Sequence, residues 1–275
     1  MMTVLERFER QLIAEEKSTT TIAKYVRDTR EFLYYIGSNT NICKEQVIAY
    51  KQDLSKRYQL TSANSILAAV NAYLRFAGYS HCVVKSFKIQ RETFRERDKE
   101  LSLEEYQSLL RAAKKKGNIR LFFLMQTIAA TGIRVSELPF VTVESLRIRR
   151  ARVSLKGKSR FVILPKQLCQ ELKQYAKEQK IVSGSIFITR SGRPLDRSNI
   201  LHEMKSLSKD AKVNKEKIFP HNLRHLFAVT YYQTEQDLCH LADLLGHSNI
   251  NTTRMYTMVS CEEQERQIDN LGLLA

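Results

Sequence analysis

The spacing of apolar and polar residues predicts a small helical bundle over residues 1–90. From Ser18 to Gly37, apolar residues recur at helical intervals, with Ser18 placed to cap the helix and Gly37 to end it. The same spacing returns over residues 45–58 and 62–77. Amphipathic helices of this kind bury their apolar faces against one another. We therefore expect an N-terminal domain built from helices.

A charged run separates this bundle from a second pattern. Residues 91–100 carry eight charges in ten positions, which predicts an exposed linker. After it, Ser102 and Glu105 have the spacing of a capping box. The almost wholly apolar run 121–130 predicts the central helix of a second domain, which we place at residues 101–275.

The second domain also contains a β-pattern. β-Branched residues alternate between Arg152 and Leu164 on both sides of residues 156–159, which predicts a hairpin. Pro165 then suits the first turn of a helix. Further along we predict a short strand at 185–189, a basic helix at 196–212 and helices with a break near Gly246. The predicted fold is mainly α-helical, with one small hairpin in the C-terminal domain.

Positive charge is spread through both halves of the chain. Lys and Arg number 45 against 29 Asp and Glu, a formal net charge of +16. Nucleic acid is the commonest partner of so basic a surface, although charge alone also fits a merely soluble basic protein. A distributed pattern suggests a protein that surrounds its ligand. The candidate phosphate contacts are Lys114–Lys116, Arg147, Arg149, Arg150, Arg152, Lys158, Arg160, Lys205 and Lys209.

The cysteines and the apolar runs bear on location. The five cysteines are widely spaced and include no Cys-x-x-Cys pair, which predicts ordinary thiols in a reducing compartment. The N-terminus lacks the apolar core of a signal peptide, and no apolar run is long enough to span a bilayer. We expect a cytoplasmic protein with no membrane partner.

The segment from His221 to Tyr256 gathers nitrogen donors near one tyrosine. His221 and Arg224 share a face if they lie on a helix, and His247 follows a Leu-Leu-Gly break. Fixed donors stabilise the charge that grows on the oxygens of a phosphodiester. Tyrosine is a nucleophile when its proton is accepted nearby. The pattern predicts attack on a phosphate, with a surface His/Arg cluster and a helix-capping histidine as the simpler interpretations.

Two further cations come from a separate segment. Arg134 follows the apolar helix just after Gly132, with Glu137 close enough in sequence to orient it. The planar fork of an arginine suits a phosphate. Lys156 lies at the predicted hairpin tip, where an ammonium can enter a DNA groove or protonate a leaving oxygen. Taken alone, a structural ion pair and a solvated turn lysine are the simpler interpretations.

The order and spacing of these residues resemble the tyrosine recombinase (phage integrase) family over nearly the whole chain. Residues 129–138 are similar to the family's first arginine box, and residues 244–256 are similar to its nucleophile box. The N-terminal bundle is similar to the family's core-binding domain. The short two-domain form is most similar to the Xer recombinases. The resemblance implies a C-shaped clamp of bundle and catalytic domain around duplex DNA.

The resemblance also implies the reaction, which is site-specific DNA cleavage and rejoining through a 3′-phosphotyrosyl intermediate. Tyr256 would be the nucleophile. Arg134 and Arg224 would hold the non-bridging oxygens, with His247 as a further donor. The covalent link stores the energy of the phosphodiester, so neither a nucleotide cofactor nor a metal is implied. The implied set is Arg134, Lys156, His221, Arg224, His247 and Tyr256, with Glu137 and His225 in support.

Proton transfer would fall to other side chains of that set. The resemblance implies that His221 assists at the tyrosine and that Lys156 protonates the 5′-hydroxyl leaving group. The predicted hairpin is one residue tighter than the family's usual form. Lys158 therefore stays an alternative for the general acid.

The implied partner is duplex DNA with inverted half-sites, bound by a dimer and joined in a tetrameric synapse. A second, related recombinase stays an open alternative as an additional partner. In the family, the segment beyond the tyrosine packs on a neighbouring protomer, and residues 261–275 either dock in that way or form a frayed tail. Two other functions stay open, a catalytically silent DNA-binding regulator with the same fold and a type IB topoisomerase-like enzyme.

Overall fold

The computed structural model describes residues 3–37, 41–89, 99–155, 158–189, 191–247, 249–256, 266 and 269–271. These residues form twelve α-helices and one antiparallel pair of strands, which confirms the predicted fold class. The chain divides into two compact units, Met1–Glu92 and Thr93–Ala275. Of the predicted linker at residues 91–100, only residues 99 and 100 are among the described residues.

The first unit is a helical bundle, as the apolar spacing predicts. Ser18 caps α2 by accepting a hydrogen bond from Thr21 N, and Gly37 ends the helix at a backbone φ of 74°. The pattern did not predict α1, although Thr3 and Glu6 form the capping box that opens it. The helices are Val4–Ala14 (α1), Thr19–Ile36 (α2), Lys44–Arg57 (α3) and Leu60–Phe76 (α4), followed by a 3-10 turn at Ser80–Cys82.

One buried carboxylate interrupts the apolar core of this bundle. Asp28 lies on α2 and is 2% exposed. Its two oxygens lie 2.5 Å from Lys24 Nζ and 2.9 Å from Arg27 Nη2. A buried charge is tolerated when it is paired in this way.

The second unit begins with two helices, of which the second is central. Ser102 and Glu105 form the predicted capping box of α5, Leu103–Lys115. α6, Ile119–Thr131, buries most of its length and packs against α11. Gly132 ends α6 in the left-handed conformation, and a Cβ there would lie 2.5 Å from Phe227 Cδ1. This turn therefore requires glycine.

The predicted hairpin is present and has two different faces. β1, Arg150–Leu155, pairs antiparallel with β2, Lys158–Ile163, and follows the short helix α7, Val143–Ile148. Because side chains alternate along a strand, one face holds buried Ala151, Val153 and Val162. The other face exposes Arg150, Arg152, Phe161 and Ile163.

The other regular elements described in the second unit are helices, with 3-10 turns at Val135–Phe140, Ile250–Thr252 and Arg254–Tyr256. Among the described residues, none of the helices has the length and apolar character needed to cross a membrane. The remaining helices are Lys166–Glu178 (α8), Arg197–Lys205 (α9), Ser208–Ala211 (α10), Pro220–Glu235 (α11) and Leu238–Leu245 (α12).

Two local predictions were wrong. Residues 185–189 make only the isolated bridges Thr142↔Ser185 and Ile188↔Pro194, because turns with positive φ at Gly184 and Gly192 lie on either side of the segment and limit its pairing to a few backbone hydrogen bonds. The helix predicted at 196–212 is divided into α9 and α10. Between them Ser206 Oγ donates to Glu203 O at 2.7 Å, a local bond that competes with helical hydrogen bonding.

Candidate active site

Three segments that are distant in sequence meet in the second unit. They are the turn after α6 with Arg134, the start of α11 with His221 and Arg224, and the end of α12 with His247. They meet because α11 packs against both α6 and α12. Packing of apolar helices therefore brings together polar residues that the sequence separates by more than a hundred positions.

Arg224 is the most deeply placed of these residues, with 2% of its surface exposed. Its guanidinium donates to Gly132 O at 2.5 Å and to Leu245 O at 2.8 Å, and Nη2 lies 3.0 Å from His247 Nε2. Burial and the charge of Arg134 lower the pKa of Arg224 to about 10, so it stays protonated at neutral pH. Hydrogen-bond acceptors on two sides make this buried cation stable.

The end of α12 supplies an acceptor to each of three arginines. The last carbonyls of a helix have no partner within it and lie at the negative end of its dipole. Cationic donors satisfy those oxygens and oppose the dipole. The pairs are Arg160 Nη1 with Leu244 O at 2.8 Å, Arg224 Nη2 with Leu245 O at 2.8 Å, and Arg134 Nη2 with Gly246 O at 3.2 Å.

Glu137 ties two of these arginines together from the other side. Its buried carboxylate accepts from Arg134 Nη1 at 2.9 Å through Oε1. Oε2 accepts from Arg160 Nη2 at 2.6 Å and from the backbone N of Arg134 at 3.0 Å. The predicted orientation of Arg134 by Glu137 is thus present, in a network that also includes Arg160.

The site keeps an excess of positive charge. Arg134 and Arg160 share the carboxylate of Glu137, Arg224 adds a third positive charge, and burial lowers the pKa of Arg160. The Arg134 side chain is 38% exposed, so the group opens to solvent at this residue. An open, positively charged and hydrogen-bonded group of this kind suits an anion with several oxygens, such as a phosphodiester.

His247 is a neutral ring with a definite tautomer. Because a guanidinium only donates hydrogen bonds, His247 Nε2 accepts from Arg224. The ring hydrogen is then on Nδ1, which lies 2.9 Å from Thr253 Oγ1. Burial and the charges of Arg224 and Arg134 lower the pKa of His247 to about 4. In this structure the ring therefore presents a lone pair, not an N–H, towards the arginines.

Tyr256 lies beside two histidines and is 3% exposed. Its ring centroid is 5.0 Å from that of His225 at an interplanar angle of 68°, and 6.2 Å from that of His247 at 16°. The proposed nucleophile and the proposed phosphate donors thus share one neighbourhood. The ring belongs to an apolar cluster with Ala228, Val229, Leu241 and Leu245.

His225 and Asn222 connect this neighbourhood to the beginning of the second unit. His225 Nε2 lies 3.3 Å from Glu100 Oε1, and Asn222 Nδ2 donates to Lys99 O at 2.9 Å. Both histidine and asparagine are on α11, within the segment that carries Arg224. The supporting position predicted for His225 therefore includes a carboxylate as well as the tyrosine.

His221 is an exposed residue in the otherwise buried first turn of α11, directly after Pro220. Protein atoms nevertheless displace water around part of the ring. This burial and the charges of Arg224 and Arg134 lower the pKa of His221. The imidazole is therefore favoured in its neutral form, which is the form that accepts a proton.

The two candidate general acids lie at the hairpin tip, where β1 ends and β2 begins. Lys156 lies outside the described residues, and Lys158 is described only in its backbone. The choice between the two lysines as general acid stays a prediction.

The structure divides the predicted phosphate contacts. Arg160 is corrected: its guanidinium faces inward and is occupied by Glu137 and Leu244 O, so it supports the site from within. Its position follows from the strand, because Arg160 pairs with buried Val153 on the inner face. Arg147, Arg149, Arg150, Arg152 and Lys209 are exposed, and Lys205 is half-buried.

The sequence did not single out two parts of the site. One is the set of backbone carbonyls at the end of α12, which no side-chain pattern reveals. The other is Thr253, whose only signal is its place between His247 and Tyr256. Among the described residues, no group of three His, Cys, Asp or Glu side chains is placed to hold a metal ion.

Comparison with known proteins places this geometry in context. Residues 99–263 match the phage integrase family. Tyrosine recombinase XerA of Pyrococcus furiosus is 27% identical over 280 residues, which cover 98% of this chain and 94% of that protein.

Two solved structures have a similar fold. A lambda integrase dimer bound to a core site gives a TM-score of 0.74 at 16% identity, covering 92% of this chain and 93% of that one. A lambda integrase tetramer bound to a Holliday junction gives 0.73 at 17% identity, covering 92% and 76%. The resemblance stated from the sequence is confirmed. Because the family match extends over more than half of its residues, the protein belongs to the phage integrase family.

Proposed function

We propose that the protein is a site-specific DNA recombinase that cleaves and rejoins strands through a covalent link to Tyr256. The observation that carries this proposal is the meeting of Arg134, Arg224, His247 and Tyr256 in one neighbourhood. The family supports it, because the related XerA is named a tyrosine recombinase. A protein that only binds DNA has no need for a tyrosine beside such a group.

The arginines would hold the scissile phosphate. Their hydrogen bonds to main-chain carbonyls and to Glu137 fix them before any ligand arrives. Donors that are already ordered stabilise growing charge without a further reorganisation. Arg134 is the most exposed of the three arginines Arg134, Arg160 and Arg224, and it would contact the phosphate first. Arg224 would contact the phosphate from deeper in the site.

Protons would move through His221 and a lysine of the hairpin. In the attack, the Tyr256 oxygen forms a bond to phosphorus, the phenolic proton passes to His221 or to water, and the bond to the 5′-oxygen breaks. A lysine of the hairpin, Lys156 or its alternative Lys158, would protonate that oxygen. The lowered pKa of His221 keeps its ring able to accept a proton at neutral pH. Reversal of these steps rejoins a strand, so no cofactor is required by the proposal.

The DNA would be held by both units and shared between protomers. The solved relatives are a dimer bound to a core site and a tetramer bound to a Holliday junction, and we extend those states to this chain. The exposed arginines of α7 and β1 are the proposed phosphate contacts in the catalytic unit. A cytoplasmic location, inverted half-sites and a domain boundary near residues 91–100 belong to the same proposal.

Covalent capture tests the reaction without knowledge of the target. The protein is incubated with a pool of duplexes that have randomised sequence and one nick, so that a cleaved strand is released and the adduct cannot reverse. We expect SDS-stable protein–DNA adducts, and peptide mapping should locate the DNA 3′-phosphate on Tyr256. Sequencing of the captured DNA then gives the target.

The control is Tyr256→Phe, which keeps the ring contacts and removes the nucleophile. An adduct with this variant would show that another residue attacks. Capture by neither protein, with sequence-specific binding retained, would favour a catalytically silent regulator. Adducts on single sites without assembly of two protomers would favour a topoisomerase-like enzyme.

A further inference from the structure

Thr253 is a buried hydroxyl between the two residues that matter most to the proposed chemistry. It is fully buried, and its Oγ1 lies 2.9 Å from His247 Nδ1. Its carbonyl accepts a hydrogen bond from Tyr256 N at 2.9 Å, and its own N donates to Ile250 O at 2.8 Å. Thr253 thus contacts His247 through its side chain and Tyr256 through its backbone.

The neighbouring residue shows that this placement is specific. Thr252 is exposed, although the two threonines are adjacent and lie in the same short turn. Thr253 has no exposed surface, and among the described residues its Oγ1 is the hydrogen-bond partner of His247 Nδ1.

The DNA-free ring and the ring that the reaction needs differ in where the hydrogen lies. In this structure His247 Nε2 accepts from Arg224 and Nδ1–H donates to Thr253. A neutral ring that donates to a phosphate oxygen carries the hydrogen on Nε2, and its Nδ1 then accepts. A threonine hydroxyl both donates and accepts, so it satisfies Nδ1 in either state.

We propose that Thr253 is a positioning residue whose hydroxyl holds the His247 ring in place while its hydrogen moves from Nδ1 to Nε2. A water molecule that enters where the group opens at Arg134 gives a proton to Nε2, and the hydroxide so formed takes the proton from Nδ1, so the net charge of the ring does not change. When a phosphate takes over the donors of Arg224, His247 Nε2 is released and becomes the further phosphate donor. The backbone hydrogen bond from Tyr256 N to Thr253 O holds the tyrosine next to the same residue that holds the His247 ring. The inference rests on the proposed function, since only phosphate chemistry needs the second tautomer.

The first experiment needs no DNA. Nitrogen NMR of ¹⁵N-histidine-labelled protein at neutral pH distinguishes the two tautomers, and the His247 signal is assigned by its loss in His247→Gln. We expect Nδ1–H in the wild type and in Thr253→Ser, which keeps the hydroxyl. Thr253→Val has nearly the same shape without a hydroxyl. Because Arg224 still donates to Nε2 in this variant, its ring should stay in the Nδ1–H form, but the Nδ1 signal should shift since its hydrogen bond is lost. An identical Nδ1 signal in the wild type and Thr253→Val would overturn the inference.

The second experiment measures single-turnover adduct formation on the DNA captured by the wild type. We expect Thr253→Val to be slower by roughly 10- to 100-fold, which is typical for loss of a group that orients a catalytic side chain. Thr253→Ser should recover most of the rate, and the matched control Thr252→Val should behave as the wild type does. Equal loss in Thr253→Val and Thr253→Ser would also overturn the inference.

The two experiments separate the inference from the proposed function. If the wild type forms no adduct, the proposed function fails, and the NMR measurement still decides whether the Thr253 hydroxyl holds His247 Nδ1. If adducts form equally fast in the wild type and in Thr253→Val, the function stands and the inference fails. Thr253→Ala replaces Thr253→Val in both measurements if thermal denaturation shows that valine does not fold there.

Discussion

The second unit carries two sets of arginines that are alike in charge and opposite in surroundings. The inner set is Arg134, Arg160 and Arg224, and the outer set is Arg147, Arg149, Arg150 and Arg152. Inner guanidinium groups donate to main-chain carbonyls and to a buried carboxylate. Outer side chains are exposed on α7 and on the open face of the hairpin. The sequence alone assigns Arg160 to the wrong set, although it lies on the same hairpin as Arg152.

The difference shows that the position of an arginine, not its charge, decides whether it serves the reaction or the binding of DNA. The inner arginines are ordered on folding and are partly shielded from solvent, so salt screens them weakly. Their contribution belongs to the transition state. The outer arginines move in water, and each phosphate that they contact releases counterions. Their contribution belongs to binding and should depend strongly on salt.

Arg224→Lys should produce the largest effect. Lysine keeps the charge but offers a single ammonium in place of the planar fork that reaches Gly132 O and Leu245 O. We expect single-turnover cleavage to slow by about 100-fold or more, because a preorganised phosphate donor is lost. Arg152→Lys makes the same exchange in the outer set and should leave the rate unchanged. A similar loss in both variants would abolish the distinction between the sets.

Gly132→Ala should show how far the inner set depends on the turn beneath it. Gly132 has positive φ, and an added Cβ would meet Phe227 and Leu245 at less than 3.0 Å. The left-handed backbone and the overpacking together predict a loss of about 2 to 5 kcal/mol in the free energy of unfolding. Gly117→Ala is the matched control, because its φ is +68° and a Cβ there meets nothing within 4 Å. Urea denaturation of both variants should show a clearly smaller loss at Gly117.

The pH dependence of stability should show the lowered pKa of His247, which lies half-buried beside the inner set. The pKa of His247 is about 4 in the folded protein, against about 6.5 for a free histidine. Between these values the unfolded chain binds more protons, so stability falls as the pH is lowered through this window. In thermal denaturation, His247→Gln should reduce that fall, whereas His202→Gln, at an exposed position, should not. Equal curves for the wild type and His247→Gln would mean that burial and the arginines do not lower the pKa of this ring.

Removal of Arg150 and Arg152 should have the smallest effect, and the effect should be on DNA binding instead of on the cleavage rate. We expect the double alanine variant to bind DNA more weakly and to cleave bound DNA at the wild-type rate. The slope of log K against log salt should fall by up to about 2, one for each lost phosphate contact. Titration of labelled duplex at several salt concentrations measures the slope. An unchanged slope would remove these two residues from the DNA interface.

Periodic patterns predicted most helices of the bundle and the central helix of the second unit. Ser18 and Gly37 fixed the ends of α2 because capping and positive φ are local requirements. The hairpin was predicted for the same reason, since alternation is visible within one segment. The strand at 185–189 was mispredicted because an apolar run does not reveal whether a partner lies beside it.

The residues of the site were predicted from their spacing, and their arrangement was not. His221 and Arg224 share a face through helical geometry, which spacing encodes directly. The contact between Arg134 and Gly246 O depends on the packing of α6, α11 and α12, and no local rule gives it. Arg160 looked like its exposed neighbours because the inward face of a strand is fixed by register, not by residue type.

The acceptors at the end of α12 have a consequence for mutational robustness. Three arginines are held by the oxygens of Leu244, Leu245 and Gly246, and every amino acid carries that oxygen. Substitution of those side chains leaves the acceptors in place as long as the backbone keeps its path. Sequence drift in this segment therefore threatens the arginine cluster through the shape of the chain, and not through the loss of any one functional group.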